Sequence, residues 1–303
     1  MSKDKLIVIT GQTATGKTNL AAHIANLLDG EIISADSRQV YKYMDIGTGK
    51  DIDDFTIGEK KIPFHLIDIC DPGEEYNIYR YQKDFLKVYE DIISRNKQPI
   101  LCGGSGLYVE SVLKNYKLMN VPINDKLRIS LDKKSDEELG VMLQNYTVTH
   151  NTTDLMYRKR LIRAIEIADY QSKNDIDKQL PELNYTIFGI RFERNLLKKR
   201  ITKRLKSRFD EGMIDEAKKL LDMGVSSEKL IYYGLEYKFL AEYLDGQYNF
   251  NDMFQKLNSA IHRFSKRQMT WFRRMEKNDF DINWIEGKLS LDDKIKYVLN
   301  DIK

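Results

Sequence analysis

A strand, a glycine loop and the start of a helix follow one another within the first 25 residues. The apolar, β-branched run at 6–9 predicts a buried parallel strand. Gly11 ends the run, and Gly-Lys-Thr at 16–18 completes the spacing G-x-x-x-x-G-K-[ST]. Helical periodicity continues over 19–25. Glycines let backbone N–H groups surround an anion, and a helix N-terminus adds partial positive charge, so this order predicts a phosphate-binding P-loop.

The motif also assigns roles to its residues. Lys17 is expected to reach the outer phosphates, and the Thr18 hydroxyl is expected to bind Mg²⁺. The alternative is a tight turn with a chance lysine, which the matching strand and helix disfavour. The residues expected to surround the phosphates of the ligand are Gly11, Gln12, Thr13, Ala14, Thr15, Gly16, Lys17 and Thr18.

The composition narrows the class of protein. A chain of 303 residues allows one large or two small domains. No apolar run approaches the roughly 18 residues of a membrane span, and residues 1–5 do not resemble a signal peptide. Cys70 and Cys102 each end an apolar run, and we interpret both as buried, reduced thiols of a cytoplasmic protein. No residues have the spacing of zinc ligands.

Polar residues follow the next apolar run, at 31–34. Ligands of an open parallel sheet bind outside the carboxyl ends of its strands, so Asp36 is expected to face the same crevice as the P-loop. A helix N-cap is the alternative role for Asp36. Its position beside a phosphate site favours metal binding or proton transfer. His65, on a later apolar run, is interpreted as a structural histidine.

The rest of the pattern defines the fold class. Further strands are expected at 63–68 and 99–102, with a helix over 76–95 and a second glycine loop at 103–106. This predicts an α/β, doubly wound parallel sheet in a core at 1–116. Charged, helical segments then predict a helical insertion domain at 117–184. A strand at 185–190 returns to the core and opens a helical C-terminal part, 185–303.

Basic residues concentrate on one insertion helix at 158–163, along 191–208 and along 263–277. Aromatic residues are interleaved with the third cluster. Such clusters can be solvated helix faces, or they can hold single-stranded nucleic acid. Composition alone leaves both interpretations open.

The chain resembles the bacterial tRNA dimethylallyltransferases, also called tRNA isopentenyltransferases. The motif Asp-Ser-Arg-Gln at 36–39, following the P-loop, is the most specific match. The matching segments extend over nearly the whole chain, at 11–18, 34–41, 45–48, 65–68, 103–108, 160–166 and 266–273.

The resemblance implies a P-loop NTPase-like fold and the transfer of a dimethylallyl group from dimethylallyl diphosphate. The acceptor would be the exocyclic amine of the adenosine 3′-adjacent to the anticodon, with Mg²⁺ as cofactor. Asp36 would accept the proton of that amine, Lys17 and Arg200 would stabilise the leaving diphosphate, and Thr13 would contact the diphosphate or the amine. A monomer in the cytoplasm is expected. The residues expected to bind the tRNA anticodon stem-loop are Asp36, Ser37, Arg38, Gln39, Ser105, Lys159, Arg160, Leu161, Ile162 and Arg163.

Three departures from the family pattern stand beside these matches. Gln12 occupies a position where the family usually has proline, Glu236 one where glycine is usual, and the segment 150–154 lacks a common proline. Glu236 favours an alternative acceptor, a free adenine nucleotide. A P-loop nucleotide or small-molecule kinase is a further alternative, because Lys17 and Thr18 serve any polyphosphate.

Overall fold

The computed structural model describes residues 5–146, 158–174 and 181–302. The segment 150–154, which departs from the family pattern, lies outside the described residues. Across the described ranges, two compact units are formed, one by 1–114 together with 182–303 and the other by 115–181. The sequence placed the insertion at 117–184.

A six-stranded sheet forms the centre of the larger unit, with strand order β5-β2-β6-β1-β7-β8. Every neighbouring pair in it is parallel. A short antiparallel hairpin, β3-β4, lies apart from it. The strands are β1 (Leu6–Gly11), β2 (Gly30–Ser34), β3 (Thr56–Ile57), β4 (Lys60–Lys61), β5 (Phe64–His65), β6 (Gln98–Gly103), β7 (Tyr185–Arg191) and β8 (Ile282–Glu286).

Helices cover the sheet and extend the chain beyond it. In the larger unit they are α1 (Lys17–Leu28), α2 (Ile78–Ser94), α3 (Gly106–Leu113), α7 (Arg194–Asp210), α8 (Met213–Asp222), α9 (Ser227–Tyr233), α10 (Leu235–Leu244), α11 (Phe250–Lys277) and α12 (Leu291–Asp301). In the smaller unit they are α4 (Asp125–Asp132), α5 (Asp136–Tyr146) and α6 (Arg158–Lys173). None of the helices in the described ranges combines the length and apolar character needed to cross a bilayer.

The central strands are buried on both faces, which explains their continuous apolar runs. All six residues of β1 and all six of β6 are buried. One face of the sheet packs against the apolar side of α1, through residues such as Leu20 and Ile24. A second core lies among the C-terminal helices, where Leu197, Ile201 and Leu205 of α7 pack against Met253 and Leu257 of α11.

The α/β prediction is confirmed, including the return of the chain to the sheet at β7. The predicted structural role of His65 also has a physical basis, because its Nε2 lies 2.7 Å from a carboxylate oxygen of the buried Glu31. Cys70 and Cys102 are buried free thiols.

Candidate active site

The P-loop connects β1 to α1 at the carboxyl edge of the sheet. Gly16 adopts a left-handed conformation, with φ +83°, and forms the N-cap of α1. Gly11 has φ +150°, and a Cβ on it would lie 2.7 Å from the carbonyl oxygen of Ile190. Only glycine fits at position 11, because β7 approaches its backbone so closely. The Thr15 hydroxyl donates a 2.8 Å hydrogen bond to the carbonyl of Gln12 and closes the loop.

Lys17 folds back over this loop. Its Nζ lies 3.5 Å from the carbonyl oxygen of Gln12. Burial lowers the pKa of Lys17, while the nearby Asp36 carboxylate opposes that shift. A bound polyanion would favour the charged ammonium in the same way as Asp36 does. The site therefore suits an anionic ligand beside Lys17.

Helix α11 holds the P-loop through two glutamine contacts. The side-chain nitrogen of Gln12 donates to Ser265, and the side-chain oxygen of Gln268 accepts the backbone N–H of Thr13 at 2.9 Å. Gln268 also donates to the carbonyl of Gly104 at 2.9 Å, so one side chain joins both glycine loops. The backbone N–H of Thr13 is thus already used, and Thr13 offers a ligand its hydroxyl.

The Asp-Ser-Arg-Gln segment lies at the end of β2, as the sequence predicted. Asp36 is half-buried, and its Oδ1 accepts the backbone N–H of Arg38 at 2.9 Å. The Ser105 hydroxyl accepts the backbone N–H of Ser37 at 3.2 Å. Gln39 donates to the carbonyl of Gly49 at 2.9 Å. The structure thus brings Asp36, Ser37 and Ser105 together, while the Gln39 side chain ties two loops to each other.

Three arginines of α7, spaced four residues apart, point towards these loops. Arg200 Nε donates to the carbonyl of Ala14 at 2.9 Å. One guanidinium nitrogen of Arg204 lies 3.5 Å from the Thr13 hydroxyl, and the other donates to the carbonyl of Gly49 at 3.3 Å. Sequence reasoning selected Arg200 and missed Arg204. The helical i, i+4 spacing could have identified it.

A further contact that sequence reasoning missed shapes the glycine-rich loop at 45–49. The Glu216 carboxylate accepts the backbone N–H groups of Asp45, Ile46 and Gly47 at 2.7–2.9 Å. It also accepts the Tyr237 hydroxyl at 2.6 Å. Because Glu216 lies far from this loop in the chain, no local pattern indicated the contact.

Comparison with known proteins identifies the family to which the chain is related. The family model described as IPP transferase matches residues 39–275.

The chain belongs to the IPP transferase family.

This membership confirms the resemblance inferred from the motifs. The chain is 51% identical over 299 residues to "tRNA dimethylallyltransferase 2" of Bacteroides fragilis, covering 98% of each chain. Its fold is similar to the crystal structure of a tRNA isopentenylpyrophosphate transferase from Bacillus halodurans, with a TM-score of 0.72 and 31% identity over 99% of this chain and 95% of that one. A eukaryotic dimethylallyltransferase acting on tRNA shares the fold, with a TM-score of 0.74 and 22% identity over 93% of this chain and 74% of that one.

The IPP transferase fold accommodates Glu236 through a specific partner. The Glu236 carboxylate lies 3.5 Å from the guanidinium of Arg208, and the side chains are 16% and 9% exposed. Burial raises the pKa of Glu236, and Arg208 opposes that shift. Burial also lowers the pKa of Arg208. Glu236 thus acts as the counter-ion of a buried arginine.

The insertion helix α6 divides the residues predicted to bind tRNA into two groups. Leu161 and Ile162 are buried in the core of the smaller unit, so their side chains pack this unit and do not reach solvent. Arg163 pairs with the buried Glu166 and donates to the carbonyl of Val121 at 2.7 Å. Lys159 and Arg160 are exposed. Of the five predicted residues on α6, these two present their side chains to solvent most fully.

Thr18 is the residue to which the P-loop motif assigns a magnesium ion. The described ranges contain no group of three His, Cys, Asp or Glu side chains that could enclose a metal. Mg²⁺ is commonly held by one or two protein oxygens together with substrate phosphates and water. Thr18, the second residue of α1 beside the P-loop, is suited to such a site. The magnesium assignment remains a prediction.

Proposed function

We propose that this enzyme transfers a dimethylallyl group from dimethylallyl diphosphate to the exocyclic amine of the adenosine 3′-adjacent to the anticodon of a tRNA. The observation that carries the proposal is the position of Asp36. Its carboxylate lies near enough to Lys17 to oppose the lowering of the Lys17 pKa by burial, and the backbone N–H of the adjacent Ser37 donates to the hydroxyl of Ser105 in the second glycine loop at 3.2 Å. A proton acceptor and a diphosphate site therefore share one crevice.

The P-loop side of the crevice stabilises the leaving group. As the allylic C–O bond breaks, negative charge accumulates on the diphosphate. Lys17 and the guanidinium groups of Arg200 and Arg204 are held beside the loop to meet that charge. Mg²⁺ held by Thr18 would neutralise part of the diphosphate charge when bound. The Thr13 hydroxyl is available to the diphosphate or to the reacting amine.

The Asp36 side of the crevice serves the acceptor. The amine nitrogen attacks the allylic carbon, the new C–N bond replaces the C–O bond, and the amine proton passes to Asp36. The hydrogen bond from the Arg38 backbone to Oδ1 fixes the orientation of the carboxylate. An aryl-like amine is a weak nucleophile, so this orientation should contribute strongly to the rate. Ser37, Arg38 and Ser105 would contact the flipped adenosine.

The macromolecular acceptor is supported by the names of the similar proteins and by the basic helices. Lys159 and Arg160 would contact phosphates of the stem-loop. We expect the enzyme to be a monomer and to act in the cytoplasm. Size-exclusion chromatography with light scattering tests the oligomeric state.

One experiment distinguishes the candidate activities. The purified enzyme is incubated with dimethylallyl diphosphate and Mg²⁺, with either unmodified tRNA or AMP as acceptor, and the nucleosides are analysed by mass spectrometry. A parallel sample replaces the prenyl donor with ATP. We expect dimethylallyladenosine in tRNA alone. Efficient modification of AMP would favour a free-nucleotide acceptor, and phosphoryl transfer from ATP would favour a kinase.

A further inference from the structure

Helix α7 carries positive charge on two opposite sides. Arg200, Arg204 and Arg208 follow the i, i+4, i+8 spacing and face the loops of the active site. Four lysines lie on the side that points away from these arginines, since a helix turns once every 3.6 residues. They are the exposed residues Lys198, Lys199, Lys203 and Lys206. The arginines have structural partners at the active site, whereas the lysines serve none of these contacts.

The four lysines line an open groove of about 440 Å³, together with Thr202. We call it the lysine groove. The Thr202 hydroxyl is already used, because it donates to the side chain of Asn258 on α11 at 3.0 Å. The polar groups free to meet a ligand in this groove are therefore ammonium groups. The ammonium groups suit an anionic ligand, and the groove lacks a buried polar group that would select one small molecule.

The charge of the lysine groove is not compensated by ion pairs. In the part of the chain that the structure describes, none of the ion pairs within 4.0 Å involves the four lysines. On the N-terminal side of the groove, the nearest acidic residue along the chain is Glu193. It forms the N-cap of α7 and accepts the backbone N–H groups of Asn195 and Leu196, and its charge interacts with that of Lys199 without an ion pair within 4.0 Å.

The location of the charge on α7 strengthens this point. Lys199 and Lys203 are four residues apart and Lys203 and Lys206 are three apart, and like charges at these spacings on a helix repel one another. The free protein thus carries an unfavourable concentration of like charge, which a bound polyanion would relieve.

We propose that the lysine groove binds the phosphate backbone of the RNA substrate, outside the nucleotide that enters the active site. The inference rests on the proposed function, because it assumes a tRNA acceptor. Residues 198–206 span about 12 Å along the helix, which corresponds to roughly three or four nucleotides of one strand. A row of exposed ammonium groups on this scale suits successive phosphates better than a single small anion.

The test replaces the four lysines together, in the variant K198Q/K199Q/K203Q/K206Q. A matched control, K60Q/K61Q/K87Q/K219Q, removes the same charge from exposed lysines elsewhere on the larger unit. The dissociation constant of unmodified tRNA is measured for each protein over a salt series. The rate of prenyl transfer at saturating tRNA and the inhibition by inorganic diphosphate are measured in parallel.

We expect the groove variant to bind tRNA at least tenfold more weakly than the control variant at low salt. Each phosphate that is no longer neutralised by a lysine lowers the log–log salt slope by about 0.7–0.9, so the loss of three or four such contacts should make the slope shallower by about 2–4. The maximal rate and diphosphate inhibition should stay unchanged, because the arginine side of α7 is intact.

The outcomes separate this inference from the proposed function. If wild type binds and prenylates tRNA, and the groove and control variants have equal affinity and equal salt slopes, the lysine groove does not bind RNA and the proposed function stands. If wild type modifies AMP and not tRNA, the proposed function itself is wrong. A loss of diphosphate inhibition in the groove variant would show that the groove belongs to the active site.

Discussion

The side-chain nitrogen of Gln12 lies 2.9 Å from the carbonyl oxygen and 2.9 Å from the hydroxyl oxygen of Ser265. Both residues are buried, at 7% and 3% exposure. The contact joins the P-loop to α11 across 253 residues of chain. It gives a structural reason for glutamine at a position where the family pattern usually has proline, since proline has no side-chain donor.

The Gln12 contact should contribute measurably to stability. Replacing Gln12 by Ala removes the donor and leaves the buried Ser265 groups without it, so we expect a loss of about 1–2 kcal/mol in the free energy of unfolding. Ser265→Ala is the matched control, because the carbonyl acceptor remains and the loss should be smaller. Urea denaturation measures the free energy of unfolding of each variant. Equal losses in the two variants would contradict the proposed geometry.

Asp36→Asn tests the proton acceptor without disturbing the turn. The asparagine side-chain oxygen can still accept the backbone N–H of Arg38, which Asp36 accepts at 2.9 Å. We expect transfer to slow by roughly a hundredfold or more, with little change in affinity for the diphosphate. Single-turnover kinetics and inhibition by inorganic diphosphate provide the two readouts. A variant with wild-type turnover would remove Asp36 from the mechanism.

Glu236→Gln tests whether this residue serves the fold or the choice of acceptor. The variant leaves the buried Arg208 without its counter-ion, so we expect a loss of about 3 kcal/mol in stability. The double variant E236Q/R208M should recover most of it, because it also removes the buried arginine charge that the single variant leaves uncompensated. Urea denaturation of the wild type, the single variant and the double variant gives the free energies of unfolding that are compared. The ratio of tRNA to AMP modification should stay at the wild-type value, and a shift towards AMP would show that Glu236 selects the acceptor.

Substitutions at Arg163 and Lys159 distinguish a role of α6 in folding from a role in tRNA binding. Arg163 pairs with the buried Glu166, whereas Lys159 is exposed. We expect Arg163→Ala to destabilise the smaller unit and to increase hydrogen exchange of α5 and α6. Lys159→Glu should leave exchange unchanged and weaken tRNA binding several-fold. If Lys159→Glu binds tRNA normally, the proposed contact of α6 with the stem-loop is wrong.

Glu31 should make stability depend on acid pH. The Arg95 guanidinium holds the pKa of the Glu31 carboxyl at about 2, below its ordinary value of 4.5. The folded pKa is lowered, so the stabilisation is complete above about pH 4.5 and is lost as pH falls towards 2. We expect the ionised Glu31 to contribute about 1–2 kcal/mol to the free energy of unfolding, a value reduced for solvent screening because Arg95 is partly exposed. Urea midpoints between pH 6 and pH 3 should fall more for wild type than for Glu31→Gln; parallel curves would contradict this.

Local patterns predicted much of the fold and of the site. The apolar runs at 6–9 and 99–102 became the central strands β1 and β6, because a strand buried on both faces must be apolar throughout. The position of Asp36 followed from a topological rule, since the carboxyl ends of parallel strands share one edge. Strand bounds were less accurate, and the strand expected at 63–68 is limited to Phe64–His65.

The sequence by itself determined the phosphate loop, the carboxylate beside it and the family, because each depends on residues that are close together in the chain. Only the tertiary structure decided which side chains hold that site in place. Gln268 reaches Thr13 across 255 residues, and Arg204 reaches Gly49 across 155. It also showed that Arg163 pairs inside its own unit. No periodicity encodes such contacts, because the partners meet only when the helices pack on the sheet.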